Sequence, residues 1–376
     1  MTSAQPNTAQ RHAALAHVAL SSYTTLRLGG PARRFVPAHT DRDLVAGVAA
    51  ADERGEPLLV LGGGSNLVVA DEGFDGTVVQ VATAGVQVSA ADGPVSVTAA
   101  AGENWDALVR RCVAGGLAGV ECLAGIPGLV GATPIQNVGA YGQEVAGTLT
   151  SVRCYDRVSR EITVLAAADC GFGYRTSRFK RDPGRFVVLG VTFALTRDPV
   201  SRPVGYAELA ARLGVATGEQ VPLADAMTAV LELRRGKAMV LDPADPDTRS
   251  AGSFFTNPVI TQAQFAAVQD AARARFGPDV TVPGFPAVKG DGEARGVGGG
   301  QVKVPAGWLI ERSGFTRGFP GDCAVRISSK HTLALVNAGG GSTKALLDLA
   351  AQIRDGVLAS FGVELVPEPV LVGVSL

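Results

Sequence analysis

The sequence predicts an α+β fold with two or three domains, and three observations support this prediction. The chain has 376 residues, and domains typically contain roughly 100–200 residues each. Hydrophobic residues make up 46% and charged residues 18% of the sequence, which permits a sizeable core and argues against disorder. Short apolar runs typical of strands also alternate with segments of clear helical periodicity.

For the first part of the chain we predict a loose arm over residues 1–20, followed by a compact α+β unit. Residues 42–55 place apolar or alanine side chains at helical spacing. Short apolar runs typical of buried strands follow at 58–61, 67–69 and 77–81. The first two of these strands are separated by the glycine turn Gly62-Gly63-Gly64-Ser65-Asn66.

The middle of the chain predicts further strands around two helices. Residues 102–115 form a helical pattern, with Leu108 and Cys112 one turn apart and Gly115-Gly116 as a stop signal. A second helix is expected at 223–235. Alternating or apolar patterns predict strands at 86–89, 95–100, 151–155, 161–164 and 186–195.

The last part begins after the polar segment 242–248, whose two prolines are typical of a connection between domains. Helices are expected at 262–276 and 342–361, and strands at 324–327, 332–336 and 363–372. We place the predicted domain boundaries so that the parts are 1–84, 85–238 and 239–365, with 366–376 as a candidate completion of the first part.

Charge and cysteine content argue against several functional classes. The net charge is −1 and no basic block occurs, so we do not expect nucleic-acid binding, although a local group of arginines could still bind an anionic ligand. The five cysteines are widely spaced without a CxxC pair, which argues against a disulfide framework and a metal site and favours free thiols in a reducing cytoplasm. We see no signal peptide, and no apolar run approaches the ~20 residues of a membrane helix.

Two glycine-rich segments predict a nucleotide-type ligand. The turn at 62–66 follows a strand, and its successive N–H groups could bind phosphate oxygens, although for this motif alone a plain tight turn is the commoner explanation. It matches neither a Walker loop nor GxGxxG. The long uncharged segment 126–142 suits a large, flat ligand that carries a diphosphate; the alternative is a buried crossover loop.

A set of motifs in a fixed order makes the interpretation more specific, and it covers nearly the whole chain. The motifs are LGGGSN at 61–66, AGENW at 101–105, IPGLVGATPIQNVGAYG at 126–142, FGYRTSRFK at 172–180, AGSFFTNP at 251–258, AGWLIE at 306–311 and VPEP at 366–369. The set resembles the UDP-N-acetylenolpyruvoylglucosamine reductase family. This resemblance implies a vanillyl-alcohol-oxidase-like (PCMH-type) fold, with a two-part FAD-binding region at 1–84 and 85–238 and an α+β substrate-binding domain at 239–365.

The resemblance also implies which residues hold FAD. The implied residues are Gly62, Gly63, Gly64, Ser65, Asn66, Ile126, Pro127, Gly128, Gly131, Ala132, Thr133, Ile135, Gly139, Ala140 and Arg234. Some proteins of this wider fold attach FAD through a histidine. None of the four histidines (12, 17, 39 and 331) lies in either flavin motif, so we predict non-covalent FAD.

The implied substrate is an enol ether that bears a carboxylate and is linked to UDP-N-acetylglucosamine. Its double bond is electron-rich, so reduction requires groups that stabilise charge on the carboxylate and a proton donor. By resemblance, Arg175 binds the carboxylate, Glu368 donates a hydrogen bond to it, and Ser253 delivers the proton to carbon. The product would be UDP-N-acetylmuramate, a precursor of peptidoglycan and therefore of the cell wall.

Other residues are implied to contact the substrate. Tyr206 matches a tyrosine that covers the substrate in one subgroup of the family; its alternative role is to anchor a helix start. Tyr174, Lys237, Asn257 and Lys303 are the remaining candidates, with Lys237 and Asn257 as neighbours that could assist the serine. The stretch 284–300 is longer and richer in glycine than is typical of the family. For Trp105 and Trp308 we expect core packing.

NADPH is the implied reductant, and a single pocket would receive NADPH and the UDP-sugar in turn. We expect a cytoplasmic monomer that binds small molecules, with no membrane and no nucleic-acid partner. Two alternatives remain. Another FAD-linked oxidoreductase of this fold would oxidise an alcohol or hydroxy acid without needing Ser253, and a flavin-binding scaffold would not be reduced by NADPH.

Overall fold

A computed structural model describes residues 14–89, 93–287 and 300–376. The chain divides into two compact units, each made of several segments. Unit 1 comprises Met1–Val18, Pro31–Gly63 and Phe74–Arg235, and unit 2 comprises Ala19–Gly30, Gly64–Gly73 and Gly236–Leu376. These units differ from the three predicted parts because early segments of the chain fold with its C-terminal part. The division at 84, 238 and 365 stays a prediction.

One sheet of unit 1 is formed by the first strands of the chain, in the order β1-β2-β5-β3, and β5 pairs in parallel with both β2 and β3. Its strands are β1 Leu15–Ala19, β2 Pro31–Ala38, β3 Leu58–Leu61 and β5 Phe74–Val81. Helix α1, Asp41–Glu53, packs on this sheet with Leu44, Val48 and Ala51. It begins with a reciprocal capping box between Thr40 and Asp43.

A second, antiparallel sheet of unit 1 has the order β12-β11-β13-β7-β6, with β8 paired to β13. Its strands are β6 Val86–Ser89, β7 Val95–Ala100, β8 Leu117–Ala118, β11 Leu149–Asp156, β12 Glu161–Ala166 and β13 Phe186–Arg197. The side chains of β7 are alternately buried and half-buried, which is the period of a strand with one face in the core. Trp105 packs against Phe193 of β13, as its expected core role requires.

Among the described residues, the remaining strands and α-helices of unit 1 form one hairpin and four helices. They are the hairpin of β9 Gly139–Ala140 and β10 Gln143–Glu144, with helices α2 Trp105–Ala114, α3 Arg178–Arg181, α4 Ala207–Leu213 and α5 Leu223–Gly236. Helices α4 and α5 and the segment before α4 share a small core that includes Val204, Leu209, Ala226 and Val230.

Unit 2 is built from small sheets around one apolar core. Its strands are β4 Leu67–Val69, β14 Ser250–Ser253, β15 Val259–Thr261, β16 Phe285–Pro286, β17 Gln301–Lys303, β18 Val325–Ile327, β19 Ala334–Asn337 and β20 Val370–Val372, and its helices are α6 Gln262–Phe276, α7 Ala306–Arg312 and α8 Thr343–Phe361. The sheets have the orders β14-β19-β18, β15-β17-β16 and β20-β4. The core contains Phe254, Phe255, Leu309 and Ile353, each at most 2% exposed.

The predicted strand at 363–372 was too long. Only Val370–Val372 forms a strand, and it pairs in parallel with Leu67–Val69. Pro367 and Pro369 lack the backbone N–H that a ladder requires, which explains why the strand starts after them. The expected loose arm is also partly wrong, because Leu15–Ala19 is a strand and residues 20–23 form a short helical turn. Sequence patterns also missed the strand Pro31–Ala38.

Across the described ranges, no helix is both long and apolar enough to span a membrane. Within the same ranges, no group of three or more His, Cys, Asp and Glu side chains is arranged to hold a metal ion. Most of the glycine-rich stretch 284–300 lies outside the described residues.

Candidate active site

The two glycine-rich motifs meet in unit 1. A Cβ atom on Gly63 would lie 2.9 Å from the Cα of Gly128, so neither chain segment could approach as closely with a larger residue at position 63. Gly128 itself has φ of +119°, a backbone conformation that favours glycine. At Gly62, by contrast, a Cβ would make only an ordinary contact with Leu129, at 3.8 Å. The motifs predicted to act together are therefore in direct contact.

The segment 126–142, which we call the flavin loop, is also bound to the AGENW segment. Backbone hydrogen bonds join Trp105 N–H to Gly128 O at 3.1 Å and Gly131 N–H to Ala101 O at 2.9 Å. A Cβ on Gly131 would lie 2.5 Å from the Cβ of Ala101. Asn104 caps helix α2 by accepting a hydrogen bond from Ala107 N–H. The AGENW motif thus starts a helix and supports the flavin loop.

The end of the first glycine motif lies in unit 2. Gly64 has φ of +62°, and a Cβ there would lie 1.9 Å from the carbonyl oxygen of Tyr23. The carbonyl oxygen of Asn66 accepts a hydrogen bond from Val370 N–H at 2.9 Å, and its side-chain amide lies 3.5 Å from the carbonyl oxygen of Glu368. Glycine at position 64 is therefore required by the packing of the chain on itself.

Arg175 is held against the flavin loop. Its guanidinium donates to Gly139 O at 2.6 Å and to Asn137 O at 3.3 Å, and it lies 5.3 Å from the ring centroid of Tyr174. Arg175 has φ of +51°, an uncommon conformation for a residue other than glycine. Lys180 donates to the carbonyl oxygen of Arg175 at 3.1 Å. Backbone strain of this kind is typical of functional sites.

Asn137 connects the segments around Arg175, and it is only 1% exposed. Its amide group donates to Glu144 at 2.7 Å and to Gly173 O at 3.1 Å, and its side-chain oxygen accepts from Ala146 N–H. Asn137 also has a positive φ, of 48°, which asparagine tolerates better than most residues. The FGYRTSRFK motif gains a second attachment where Ser177 donates to Ile135 O at 2.6 Å.

Arg234 lies near the end of α5, where its guanidinium donates to Gly125 O at 3.3 Å, directly before Ile126 of the flavin loop. Burial lowers the pKa of Arg234, whereas the nearby Tyr141 and Asp106 raise it. An anion beside this half-buried cation would be stabilised electrostatically. The structure thus places a positive charge at the start of the flavin loop.

Tyr206 precedes α4, is 45% exposed, and packs edge-on against Tyr141 of the flavin loop with 5.5 Å between ring centroids. Burial raises the pKa of Tyr141 to about 12, so its hydroxyl stays protonated at neutral pH. Both roles considered for Tyr206 are compatible with this position, because it borders a helix and leaves much of its ring accessible.

Ser253 and Glu368 lie on adjoining backbone segments of unit 2. Glu368 N–H donates to Phe254 O at 2.8 Å, and Phe255 forms an isolated β-bridge with Pro367. The segment that carries Ser253 is also bound to Leu333, because Phe254 N–H donates to Leu333 O at 2.7 Å. The backbone segments that carry two of the three predicted catalytic residues, more than a hundred positions apart in sequence, are thus hydrogen-bonded to each other.

The other predicted substrate residues occupy less distinctive positions in unit 2. Asn257 accepts a hydrogen bond from Ala306 N–H at 2.9 Å, so its side-chain oxygen caps α7. Lys303 is the last residue of β17, opposite Val259, and Lys237 follows α5 directly. Their substrate contacts stay predictions.

The residues in and around the flavin loop fit FAD. The loop has no charged side chain between Ile126 and Gly142, which suits a flat, partly apolar ring system. Gly62 and Gly63 supply glycine backbone beside the loop, and Arg234 supplies a cation for a diphosphate. The donor set therefore matches a dinucleotide with both an apolar and an anionic part.

Sequence reasoning missed Asn137, Glu144 and Glu121 as residues that organise the site. Glu121 is fully buried and accepts hydrogen bonds from Gly119 N–H and Gln143. It is an isolated acidic residue in the stretch GLAGVECLAGIPG. A carboxylate among apolar and glycine residues could have been recognised, because buried charges require hydrogen-bond donors.

Comparison with known proteins agrees with this geometry. A sequence profile described as an FAD binding domain matches residues 32–161. The crystal structure of the UDP-N-acetylenolpyruvylglucosamine reductase from Thermus caldophilus is 25% identical, with a TM-score of 0.63, and the match covers 96% of this chain and 99% of that chain. The fold is that of an FAD-dependent oxidoreductase of the vanillyl-alcohol-oxidase-like class, which confirms the predicted fold and cofactor.

The family follows from the rest of the chain. A profile for the C-terminal domain of UDP-N-acetylenolpyruvoylglucosamine reductase matches residues 243–372. The curated reductase of this name from Thermobifida fusca is 56% identical over 96% of this chain and 98% of its own length. The one from Streptomyces coelicolor is 54% identical over 95% and 90%. The chain belongs to the UDP-N-acetylenolpyruvoylglucosamine reductase family, as its motifs predicted; the tyrosine-loop subgroup stays a prediction.

Proposed function

We propose that this chain reduces UDP-N-acetyl-3-O-(1-carboxyvinyl)-glucosamine to UDP-N-acetylmuramate with NADPH as reductant, a step in peptidoglycan precursor synthesis. The observation that carries this proposal is the 56% identity to a reductase of this name along 98% of that protein's length. The residues that the reaction needs are present and lie in structured segments, as described above. We further propose that the protein acts in the cytoplasm as a monomer.

FAD bound at the flavin loop would supply hydride transfer between NADPH and the substrate. We propose that Gly62–Asn66 and the flavin loop hold it, and that Arg234 neutralises part of its diphosphate. The close packing of Gly63 on Gly128 supports this assignment, because it brings both glycine motifs to one place. The absence of histidine from both motifs supports non-covalent binding.

Arg175 is proposed to bind the substrate carboxylate. A guanidinium stays ionised at any working pH and can bind both carboxylate oxygens at once. Its hydrogen bonds to the carbonyl oxygens of Asn137 and Gly139 limit the positions that it can adopt. Such preorganisation allows a cation to stabilise developing charge without first reorganising.

Glu368 and Ser253 are proposed to complete the chemistry. A protonated Glu368 would donate a hydrogen bond to the same carboxylate as negative charge develops there. Ser253 would deliver a proton to the second vinyl carbon. Glu368 N–H donates to the carbonyl oxygen of Phe254, and Ser253 directly precedes Phe254 in the chain. This common attachment supports a shared role. Tyr174, Tyr206, Lys237, Asn257 and Lys303 are proposed to contact the UDP-sugar.

The activity itself can be tested on the purified protein. We expect yellow absorbance from bound flavin and NADPH oxidation that depends on the enolpyruvyl UDP-sugar. An alcohol or hydroxy-acid oxidase would instead have its flavin reduced by such a substrate, and a flavin-binding scaffold would not consume NADPH. Absence of NADPH consumption that depends on the UDP-sugar would contradict the proposal.

The role of Ser253 can be separated from flavin reduction. In Ser253→Ala, flavin reduction by NADPH should stay normal, whereas reoxidation by the UDP-sugar should slow by about 10²–10⁴-fold, the usual contribution of general acid catalysis. Stopped-flow absorbance measures both half-reactions. Thr256→Ala, which removes a hydroxyl from the same segment, is the matched control and should leave both rates close to wild type. Equal slowing of the two half-reactions in Ser253→Ala would exclude the assigned role.

A further inference from the structure

Glu121 is a buried carboxylate that has no role in the reaction proposed above. Its side chain is 0% exposed. One oxygen accepts from Gly119 N–H at 2.6 Å, and the other accepts from the Gln143 amide at 2.8 Å and from Arg202 N–H at 2.7 Å. A buried charge is tolerated when donors surround it in this way. Three segments that are distant in sequence therefore meet at one side chain.

Gln143 forms hydrogen bonds both to the side chain of Glu121 and to the backbone beside it. While its amide N–H donates to Glu121, its amide oxygen accepts from Cys122 N–H at 2.8 Å. Gln143 directly follows the flavin loop and belongs to the hairpin strand β10. One oxygen of the Glu121 carboxylate is thereby bound both to the residue that directly follows the flavin loop and to the segment at Arg202.

The chain from Arg202 leads in four residues to Tyr206, and the buried Val204 lies between them. Val204 is 2% exposed, and its N–H donates to Glu219 O at 2.8 Å. A Cβ on Gly142 would lie 3.5 Å from the carbonyl carbon of Gly205, so the flavin loop and this segment are adjacent. The Tyr206 ring then packs against Tyr141. The segment that carries Tyr206 is therefore attached at Arg202, at Val204 and through the Tyr206 ring.

We propose that Glu121 is a positioning residue for Tyr206: its buried carboxylate attaches the start of the 202–206 segment to the end of the flavin loop and so determines how tightly the UDP-sugar is held. This inference rests on the proposed function, in which Tyr206 contacts the substrate. A carboxylate suits the role because both of its oxygens accept. In Glu121→Gln, the amide NH₂ would face at least one N–H donor, and a buried hydrogen bond would be lost.

Steady-state kinetics of the holoenzyme test this proposal. Glu121→Gln should raise KM for the UDP-sugar about tenfold, which corresponds to ~1.4 kcal/mol, with a smaller change in kcat. Tyr206→Ala should raise the same KM, and adding Glu121→Gln to Tyr206→Ala should cause no further increase, because the positioned side chain is then absent. A purely structural role for Glu121 predicts equal effects in both backgrounds, and that result would overturn the proposal.

Two further variants keep the test decisive. Asp156→Asn also removes a buried carboxylate of unit 1, one that accepts from Arg185 at 2.8 Å, and it should lower stability without changing KM. If Glu121→Gln does not fold, Gln143→Leu removes one of the same hydrogen bonds at a less buried position and should raise KM in the same direction. An unchanged KM in Gln143→Leu would then refute the proposal.

Different measurements test the positioning role of Glu121 and the proposed function. Wild-type protein that does not reduce the UDP-sugar refutes the proposed function. Active wild-type protein whose KM is unchanged in Tyr206→Ala or in Glu121→Gln leaves the proposed function intact and overturns only the positioning role.

Discussion

Four of the five cysteine thiols are buried, namely Cys112, Cys122, Cys154 and Cys170, whereas Cys323 is exposed. Burial raises the pKa of Cys112, Cys154 and Cys170 to about 11 and that of Cys122 to about 12. A thiol with a raised pKa stays neutral at ordinary pH, and only the thiolate reacts readily. The sequence had predicted free thiols, but it could not distinguish the exposed one from the buried ones.

Thiol labelling checks this difference. At pH 8 the folded protein should incorporate one equivalent of a maleimide, at Cys323, and the unfolded protein should incorporate five. Raising the pH should not expose further reactive thiols until it approaches 11, where the protein's own stability becomes limiting. Cys323→Ser is the control, and its folded form should incorporate none. Rapid labelling of a second thiol at pH 8 would contradict the burial that we describe.

At the scale of elements, the flavin loop is held by close backbone contacts that only small residues permit. Gly63 packs on Gly128, and Gly131 packs on Ala101. The sequence interpretation assigned the glycines to close approach by a ligand. In the structure, several of them are required first by contact of one chain segment with another, which fixes the shape of the loop before any ligand binds.

Gly131→Ala tests this view of the loop. The new Cβ would lie 2.5 Å from the Cβ of Ala101, so the loop must shift, at a cost of about 1–3 kcal/mol. We expect weaker FAD retention, measured by the flavin-to-protein absorbance ratio after gel filtration, together with a lower midpoint in urea unfolding. Gly147→Ala is the matched control, since among the described residues no heavy atom beyond its chain neighbours lies within 4 Å of its Cβ position. A variant Gly131→Ala with unchanged FAD content and stability would show that the contact is not limiting.

On the scale of the whole molecule, the chain folds into two units, and each unit is made of stretches that are separate in sequence. The strand Val370–Val372, near the end of the chain, pairs with Leu67–Val69 in unit 2. Thr343, at the start of α8, donates to Val69 O at 2.6 Å, and its N–H donates to Asp71 at 2.8 Å. Residues 64–73, which begin with the last three residues of the first glycine motif, are therefore structurally part of the C-terminal unit.

Non-covalent cofactor binding is a property of the whole protein that can be measured directly. Acid precipitation should leave all yellow chromophore in the supernatant, because no histidine lies in either flavin motif. Added FAD should also raise the melting temperature of the apoprotein, since a ligand at 100 times its Kd stabilises the folded state by about 2.7 kcal/mol. Flavin that stays with the precipitated protein would show a covalent bond and contradict this prediction.

The sequence by itself determined the class of fold, the family and most elements. Helices such as Gln262–Phe276 and strands such as Val86–Ser89 were predicted with the bounds that the structure shows. These features depend on periodicity and on motifs that are local in sequence. Ser253, Arg175 and Glu368 were also identified from local motifs, although their roles are proposals.

Only the tertiary structure decided which of these residues meet. Contacts between distant segments pair the Ser253 segment with that of Glu368 and attach Arg175 to Asn137 and Gly139. Such contacts also bury Glu121. No local pattern encodes such contacts, because burial and hydrogen bonding of a polar side chain are set by the segments that pack around it.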